Sequence, residues 1–124
     1  MKVLVVDDET DVQVLFEQRF RREIRGGEIH FAFAHSGEKA LAYLNDHASE
    51  CVLILSDINM PGMSGLELLR LIKTTYPVPP PVVMMITAYG DSASYDQAMQ
   101  LGADAFLTKP LDFTNLKEKL KTVL

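Results

Sequence analysis

The chain reads as a single doubly wound α/β domain, a parallel sheet of five strands covered by five helices. Three observations predict this. Short apolar runs rich in β-branched residues (Val3-Leu4-Val5-Val6, Cys51 to Leu55, Val82 to Ile86, Ala105-Phe106-Leu107) have the continuous hydrophobicity of strands buried on both faces. Amphipathic segments with apolar residues three and four apart separate these runs, as crossover helices should. Each run also ends on a polar residue able to do chemistry: Asp7-Asp8, Asp57, Thr87 and Lys109-Pro110. Open parallel sheets bind ligands just outside the carboxyl ends of their strands.

Taken in order, the first strand runs directly from Met1-Lys2. Thr10 or Asp11 can cap a first helix whose Val12, Leu15, Phe16 and Phe20 fall at helical spacing and which ends near Gly26-Gly27. Glu28 to Phe33 alternates more than the other strands and fits an edge position. Ser36-Gly37 opens a second helix with Ala40, Leu41 and Leu44 facing inward. The third strand ends at Asp57, and Asn59 to Gly65 is a long Pro-Gly turn. Ser64 with Glu67 three residues on has the pattern of a capping box for a third helix through Leu66, Leu69 and Ile72. Pro77 to Pro81 stops that helix. Asp91 or Ser92 starts a fourth, Gly102 ends it, and a fifth follows Pro110 with Phe113, Leu116, Leu120 and Val123 on one face.

Composition sets the bounds. The 124 residues, 48% hydrophobic and 23% charged, suit one ordinary globular domain, 1–124. A net charge of −5 argues against a nucleic-acid-binding surface. The single cysteine, Cys51, excludes an internal disulfide, suits a reducing compartment and falls at a buried strand as a small hydrophobe. No apolar stretch reaches the roughly 20 residues of a membrane span. A soluble cytoplasmic domain without a membrane anchor is the expectation. Arg19, Arg21, Arg22 and Arg25 read as a solvated helix end, and His30, His35 and His47 lack metal-ligand spacing.

The strand ends carry the chemistry. If the first and third strands are neighbours, Asp7, Asp8 and Asp57 crowd together and raise one another's pKa unless a hard cation relieves them; oxygen-only ligands favour magnesium. The competing reading makes Asp7 and Asp8 caps of the following helix, a task for which Thr10 and Asp11 are better placed. A carboxylate beside magnesium can attack phosphorus, and Asp57, alone at its strand end, is the candidate nucleophile rather than a mere turn-initiating Asp. Lys109 supplies a compact positive charge, Thr87 a hydroxyl and Asn59 a backbone carbonyl for the metal. Lys109-Pro110 is compatible with a cis or a trans bond.

Four motifs in order, Val5-Val6-Asp7-Asp8-Glu9, Ser56-Asp57-Ile58-Asn59-Met60-Pro61-Gly62-Met63-Ser64-Gly65, Ile86-Thr87-Ala88 and Leu101 to Pro110, resemble the receiver domain of two-component response regulators, the family that includes the chemotaxis protein CheY. The resemblance covers essentially the whole chain. It implies a flavodoxin-like fold with strand order 2-1-3-4-5 and Asp57 as phosphoacceptor. It also implies Asp8 and Asp57 as direct Mg2+ ligands, Asp7 nearby through water and the Asn59 carbonyl as the remaining protein ligand. Lys109 and Thr87 would contact the phosphoryl group. Its donor would be a phosphohistidine on a sensor histidine kinase or histidine phosphotransfer protein, and the receiver itself would promote the transfer. Phe106 stands where the family often has a switch Tyr, so steric coupling survives without a hydroxyl; the competing role is core filler. Asn59 and Tyr89 would tune phosphate lifetime. Tyr95, Gln97, Phe106 and Lys117, on the fourth helix, fifth strand and fifth helix, would form the readout toward an output domain or downstream protein. A homodimer through the last helices is compatible with the pattern. The chain stops where its last helix ends, which suits a complete protein or a receiver cut from a longer one. A magnesium-dependent phosphatase would need a second acid–base carboxylate where Asn59 stands, and a cap. A receiver-like module without phosphorylation is at odds with the intact Asp, Thr and Lys set. A flavin-binding domain would want a less acidic first loop.

Overall fold

A computed structural model describes residues 1–47, 50, 53–76, 81–88 and 92–123. Five parallel strands, β1 (Lys2–Val6), β2 (His30–Ala34), β3 (Leu53–Asp57), β4 (Val82–Thr87) and β5 (Ala105–Thr108), form one sheet in the order β2-β1-β3-β4-β5. This is the predicted strand order. β1 and β3 are direct neighbours, with Val6 opposite Ser56, so the two acidic strand ends emerge side by side. β2 is an edge strand, beginning two residues later than its sequence pattern suggests.

Alternation along the strands divides the core in two. Val3 and Val5 of β1, with Leu53, Leu55, Met84 and Ile86, face α1 (Asp11–Arg19) and α6 (Phe113–Val123). Leu4, Val6, Ile54, Val83 and Met85 face α3 (Gly37–His47), α4 (Gly65–Thr75) and α5 (Ser92–Gln100). The central strands are buried on both faces, which is why their sequences carry no polar alternation.

Among the described residues the helices number six rather than five. The predicted first helix bends at Phe20 (φ −108°, ψ 22°), leaving α1 and a short α2 (Arg21–Arg25). Hydrogen bonds from Phe20 N–H to Phe16 and from Ile24 N–H to Phe20 run through the bend. Phe20 is fully buried, its ring 5.8 Å from Phe16, 5.1 Å from Phe31 and 6.0 Å from Phe113. This aromatic cluster rewards the departure from a straight helix. Leu15, expected inside, is 38% exposed because the α1 stripe centres on Phe16; it lines a cleft between α1 and the start of α6.

Capping follows the sequence in part. Ser64 Oγ accepts the Glu67 N–H as predicted, but Glu67 turns outward to Arg70 and so completes no reciprocal box. Thr10 makes no side-chain cap, and Asp112, unremarked in the sequence, accepts the Asn115 N–H at the start of α6. Gly102 (φ 98°) ends α5, with Ala103 N–H bonded to Ala98 O and Gly102 N–H to Met99 O, the paired closure that a left-handed residue permits. Cys51, Pro77 to Pro80, Tyr89 and Asp91 lie outside the described residues.

Candidate phosphoryl-transfer site

The carboxyl end of the sheet gathers side chains that the sequence spreads over a hundred positions. Asp7, Asp8 and Asp57 each place a carboxylate oxygen within 4.8 Å of the others. Asp7 and Asp57 are buried and Asp8 is half-buried. Lys109 Nζ reaches into the group, donating to Asp7 Oδ2 at 2.9 Å and to Asp57 Oδ2 at 3.5 Å. Thr87 is buried beside them at the end of β4.

Local structure explains the placement. Asp7 N–H bonds to Ala34 O of the edge strand, and Asp7 Oδ1 accepts the Glu9 N–H, tightening the loop that leaves β1. That bond is a turn contact, since α1 begins only at Asp11. His35 Nδ1 donates to the Asp7 carbonyl at 3.0 Å, so this histidine buttresses the acidic loop. Lys109 N–H bonds to Thr87 O, which fixes the end of β5 against β4; the Lys109-Pro110 bond is cis. At Asp57 the chain turns sharply. Ile58 N–H bonds to Ile86 O, and Gly65 N–H returns to Ile58 O at 2.8 Å. A Cβ on Gly65 would fall 1.9 Å from the Asp57 carbonyl oxygen, so only glycine lets α4 start so close to the reactive strand end.

The electrostatics follow from this crowding. Burial pushes the Asp57 carboxyl above the usual aspartate range, and the Asp7 charge pushes it further; Lys109 and the Asn59 N–H oppose the rise without cancelling it. Burial favours loss of the Lys109 proton. Its hydrogen bond to Asp7 and the charges of Asp7, Asp57 and Glu9 outweigh that effect and hold the proton more tightly than usual. One ammonium therefore faces three carboxyl groups. A converging all-oxygen donor set with surplus negative charge fits a small hard divalent cation such as magnesium.

Other expected residues are placed as follows. Asn59 is exposed at the mouth of the site, and its Nδ2 donates to Thr87 Oγ1 at 3.3 Å, a link that sequence reasoning missed. Phe106 is half-buried, edge-on to the exposed Tyr95 ring at 5.4 Å and 76°. Gln97 is exposed on α5. Lys117 belongs elsewhere: its ammonium bonds Glu23 Oε2 of α2 at 3.0 Å and lies over the Phe20 ring, so it does not join Tyr95 and Phe106. α6 turns that face toward α2, which pairs an acid with the lysine. Tyr89 lies outside the described residues.

The sequence pattern of the response regulator receiver domain matches residues 3–121, and the chain belongs to that family of phosphoryl-accepting signalling switches. It is 32% identical over 123 residues to the transcriptional regulatory protein CpxR of Klebsiella pneumoniae subsp. pneumoniae (strain HS11286), covering 99% of this chain and 49% of CpxR. It is 39% identical over 110 residues to the DNA-binding transcriptional regulator NtrC of Proteus hauseri, covering 89% of this chain and 22% of NtrC. The chain thus spans half or less of the length of these relatives. Among solved structures, the CheX–CheY–BeF3–Mg2+ complex from Borrelia burgdorferi superposes with a TM-score of 0.87 at 27% identity, covering 99% of this chain and 88% of that one. No helix among the described residues is long and apolar enough to cross a membrane.

Proposed function

We propose that Asp57 takes a phosphoryl group from a phosphohistidine of a sensor histidine kinase or histidine phosphotransfer protein, and that the resulting aspartyl phosphate switches the α5–β5–α6 face. The observation that carries this reading is the setting of Asp57: a buried carboxylate at the end of β3, between two further carboxylates and the Lys109 ammonium, with Thr87 beside it. An Asp57 oxygen forms the new P–O bond as the donor's P–N bond breaks, and the electron pair leaves on the imidazole nitrogen, which takes a proton from solvent. Lys109 places positive charge where the transferring phosphoryl oxygens gather. Asp7, Asp8, Asp57 and the Asn59 carbonyl are the groups that would hold Mg2+. Bound there, magnesium would offset the carboxylate repulsion and the phosphoryl charge. In this way the domain promotes its own phosphorylation and dephosphorylation and no other turnover. Asn59 and Tyr89 set the lifetime of the aspartyl phosphate.

The product adds nearly two negative charges and new acceptor oxygens. Thr87 then exchanges its Asn59 partner for a phosphoryl oxygen, vacating space into which Phe106 turns away from Tyr95. Tyr95, Gln97 and Phe106 present the change to an output domain or downstream protein, in the cytoplasm, with no direct nucleic-acid contact by this domain. Treatment with beryllofluoride and Mg2+, read by NMR, tests the switch: the Tyr95 and Phe106 ring resonances should shift in wild type. In Thr87→Ala, which should still gain one phosphoryl group from acetyl phosphate, they should not. A Thr87→Ala variant that shifts fully would overturn the coupling.

A further inference from the structure

The loop that leaves Asp57 is held by an element outside the acidic cluster. Its beginning is tied to β4 by the Ile58 N–H, and its end is closed by Gly65 N–H on Ile58 O and by the Ser64 cap. Between those ends lie Asn59 to Met63, with Asn59 and Pro61-Gly62 exposed. The Asn59 N–H meets the Asp57 carboxylate; further along this stretch, the backbone is reached from Glu38 on the first turn of α3, whose Oε1 accepts the Met63 N–H at 3.0 Å. The contact is built from both sides. Gly62 adopts φ +74° beneath the same carboxylate, and a Cβ there would lie 3.3 Å from Glu38 Oε2. The Met63 side chain lies directly on Gly37: a Cβ on Gly37 would come within 2.9 Å of Met63 Sδ. Ser36 Oγ satisfies the Lys39 N–H, so the Glu38 carboxylate is not needed to cap its own helix and turns to the loop instead.

We infer that Glu38 is a positioning residue for the phosphoryl-transfer site, holding the Asn59–Met63 loop in the conformation that presents the Asn59 carbonyl to the cation. The inference rests on the magnesium reading above. The chain of causes is short. Asn59 is four residues from Met63, its carbonyl is the backbone member of the ligand set, and without the Glu38 bond the backbone from Met60 to Met63 samples more conformations. Ligand sites bind tightly when their supporting contacts hold the ligands in place before the ion arrives. One neutral-donor hydrogen bond at a solvent-exposed position is worth about five-fold in the population of the competent loop. A five-fold loss of Mg2+ affinity is therefore the expected size of the effect.

Two substitutions separate geometry from charge. Glu38→Ala removes the acceptor and a negative charge near the site. Glu38→Gln removes the same charge but keeps a carbonyl oxygen able to accept the Met63 N–H. Glu38 is exposed, so both variants should fold, and thermal melts verify this. In the metal-free protein, amide exchange measured by NMR should show the Met63 N–H exchanging several-fold faster in Glu38→Ala and near the wild-type rate in Glu38→Gln. Calorimetric titration with MgCl2 should show affinity about five-fold weaker in Glu38→Ala and largely restored in Glu38→Gln. The phosphorylation rate with acetyl phosphate should fall at limiting Mg2+ and recover at saturation. If Glu38→Ala matches wild type in both exchange and affinity, or if Glu38→Gln is as weak as Glu38→Ala, the positioning role is overturned while the metal site stands. If wild type itself binds no Mg2+, the reading of the site falls and this inference falls with it.

Discussion

Replacing Asp57 by Asn should make the metal-free protein more stable, and the size of the gain can be worked from the geometry. Unit charges 4.8 Å apart, the upper limit of the carboxylate spacing, repel by about 3.5 kcal/mol at an effective dielectric of about 20. Asp57 has two such neighbours, costing about 7 kcal/mol, and recovers about 5 kcal/mol from Lys109 at 3.5 Å; burial, the largest cause of its raised pKa, adds to the cost of its charge. Asparagine keeps the shape and loses the charge, so Asp57→Asn should gain about 2 kcal/mol at pH 7 in EDTA, raising Tm by roughly 5–10 °C. The sign with pH follows from the raised Asp57 pKa. The folded state keeps this proton where the unfolded chain has lost it, so wild-type stability declines as pH rises from the ordinary aspartate value of about 4 through the raised one. The advantage of Asp57→Asn should therefore vanish below about pH 4 and be complete above the folded pKa. Saturating Mg2+ should stabilise wild type more than the variant and narrow the gap. Urea unfolding followed by circular dichroism, with and without Mg2+, measures all of this. An Asp57→Asn protein equal to or less stable than wild type in EDTA at neutral pH would refute the claim that the carboxylates are held together against their repulsion.

Three further outcomes follow from the same geometry. Gly65→Ala should cost about 3 kcal/mol or more, because the new methyl meets backbone rather than a yielding side chain 1.9 Å away; urea unfolding reads it directly. Lys109→Ala leaves three carboxyl groups facing one another and should cost about 3 kcal/mol in EDTA, with part of the loss restored by Mg2+ in the same assay. Substituting Asn59 and Tyr89 should change the autodephosphorylation rate several-fold, followed as loss of the phosphorylated mass with time; an unchanged rate in both would remove them from the lifetime proposal.

Much of this was legible from residue order alone. Continuous apolar runs marked β1, β3 and β4 because those strands are covered on both faces, and the polar residue after each run marked the working edge of the sheet. The adjacency of β1 and β3, on which the acidic cluster depends, came from the resemblance, since hydrophobic periodicity does not order strands. What stayed hidden depends on tertiary packing. The bend at Phe20 arises because rings from α1, β2 and α6 converge. The exposure of Leu15 and the pairing of Lys117 with Glu23 depend on how α1, α2 and α6 rotate against the sheet. The bond from Asn59 to Thr87 joins residues 28 apart through side chains whose reach no spacing rule encodes. Gly65 read only as the end of a long Pro-Gly turn, because its role as a steric gap under α4 depends on the Asp57 carbonyl packed against it.

The most direct test of the central claim traps the phosphorylated residue itself. An acyl phosphate is reduced by borohydride to an alcohol, which converts a phosphorylated aspartate into homoserine. Incubation with acetyl phosphate and Mg2+, borohydride reduction and peptide mass mapping should place one homoserine at position 57, with none formed in EDTA. Homoserine at Asp7 or Asp8 instead, or none in an intact, Mg2+-treated protein, would contradict the assignment of Asp57 as the phosphoacceptor.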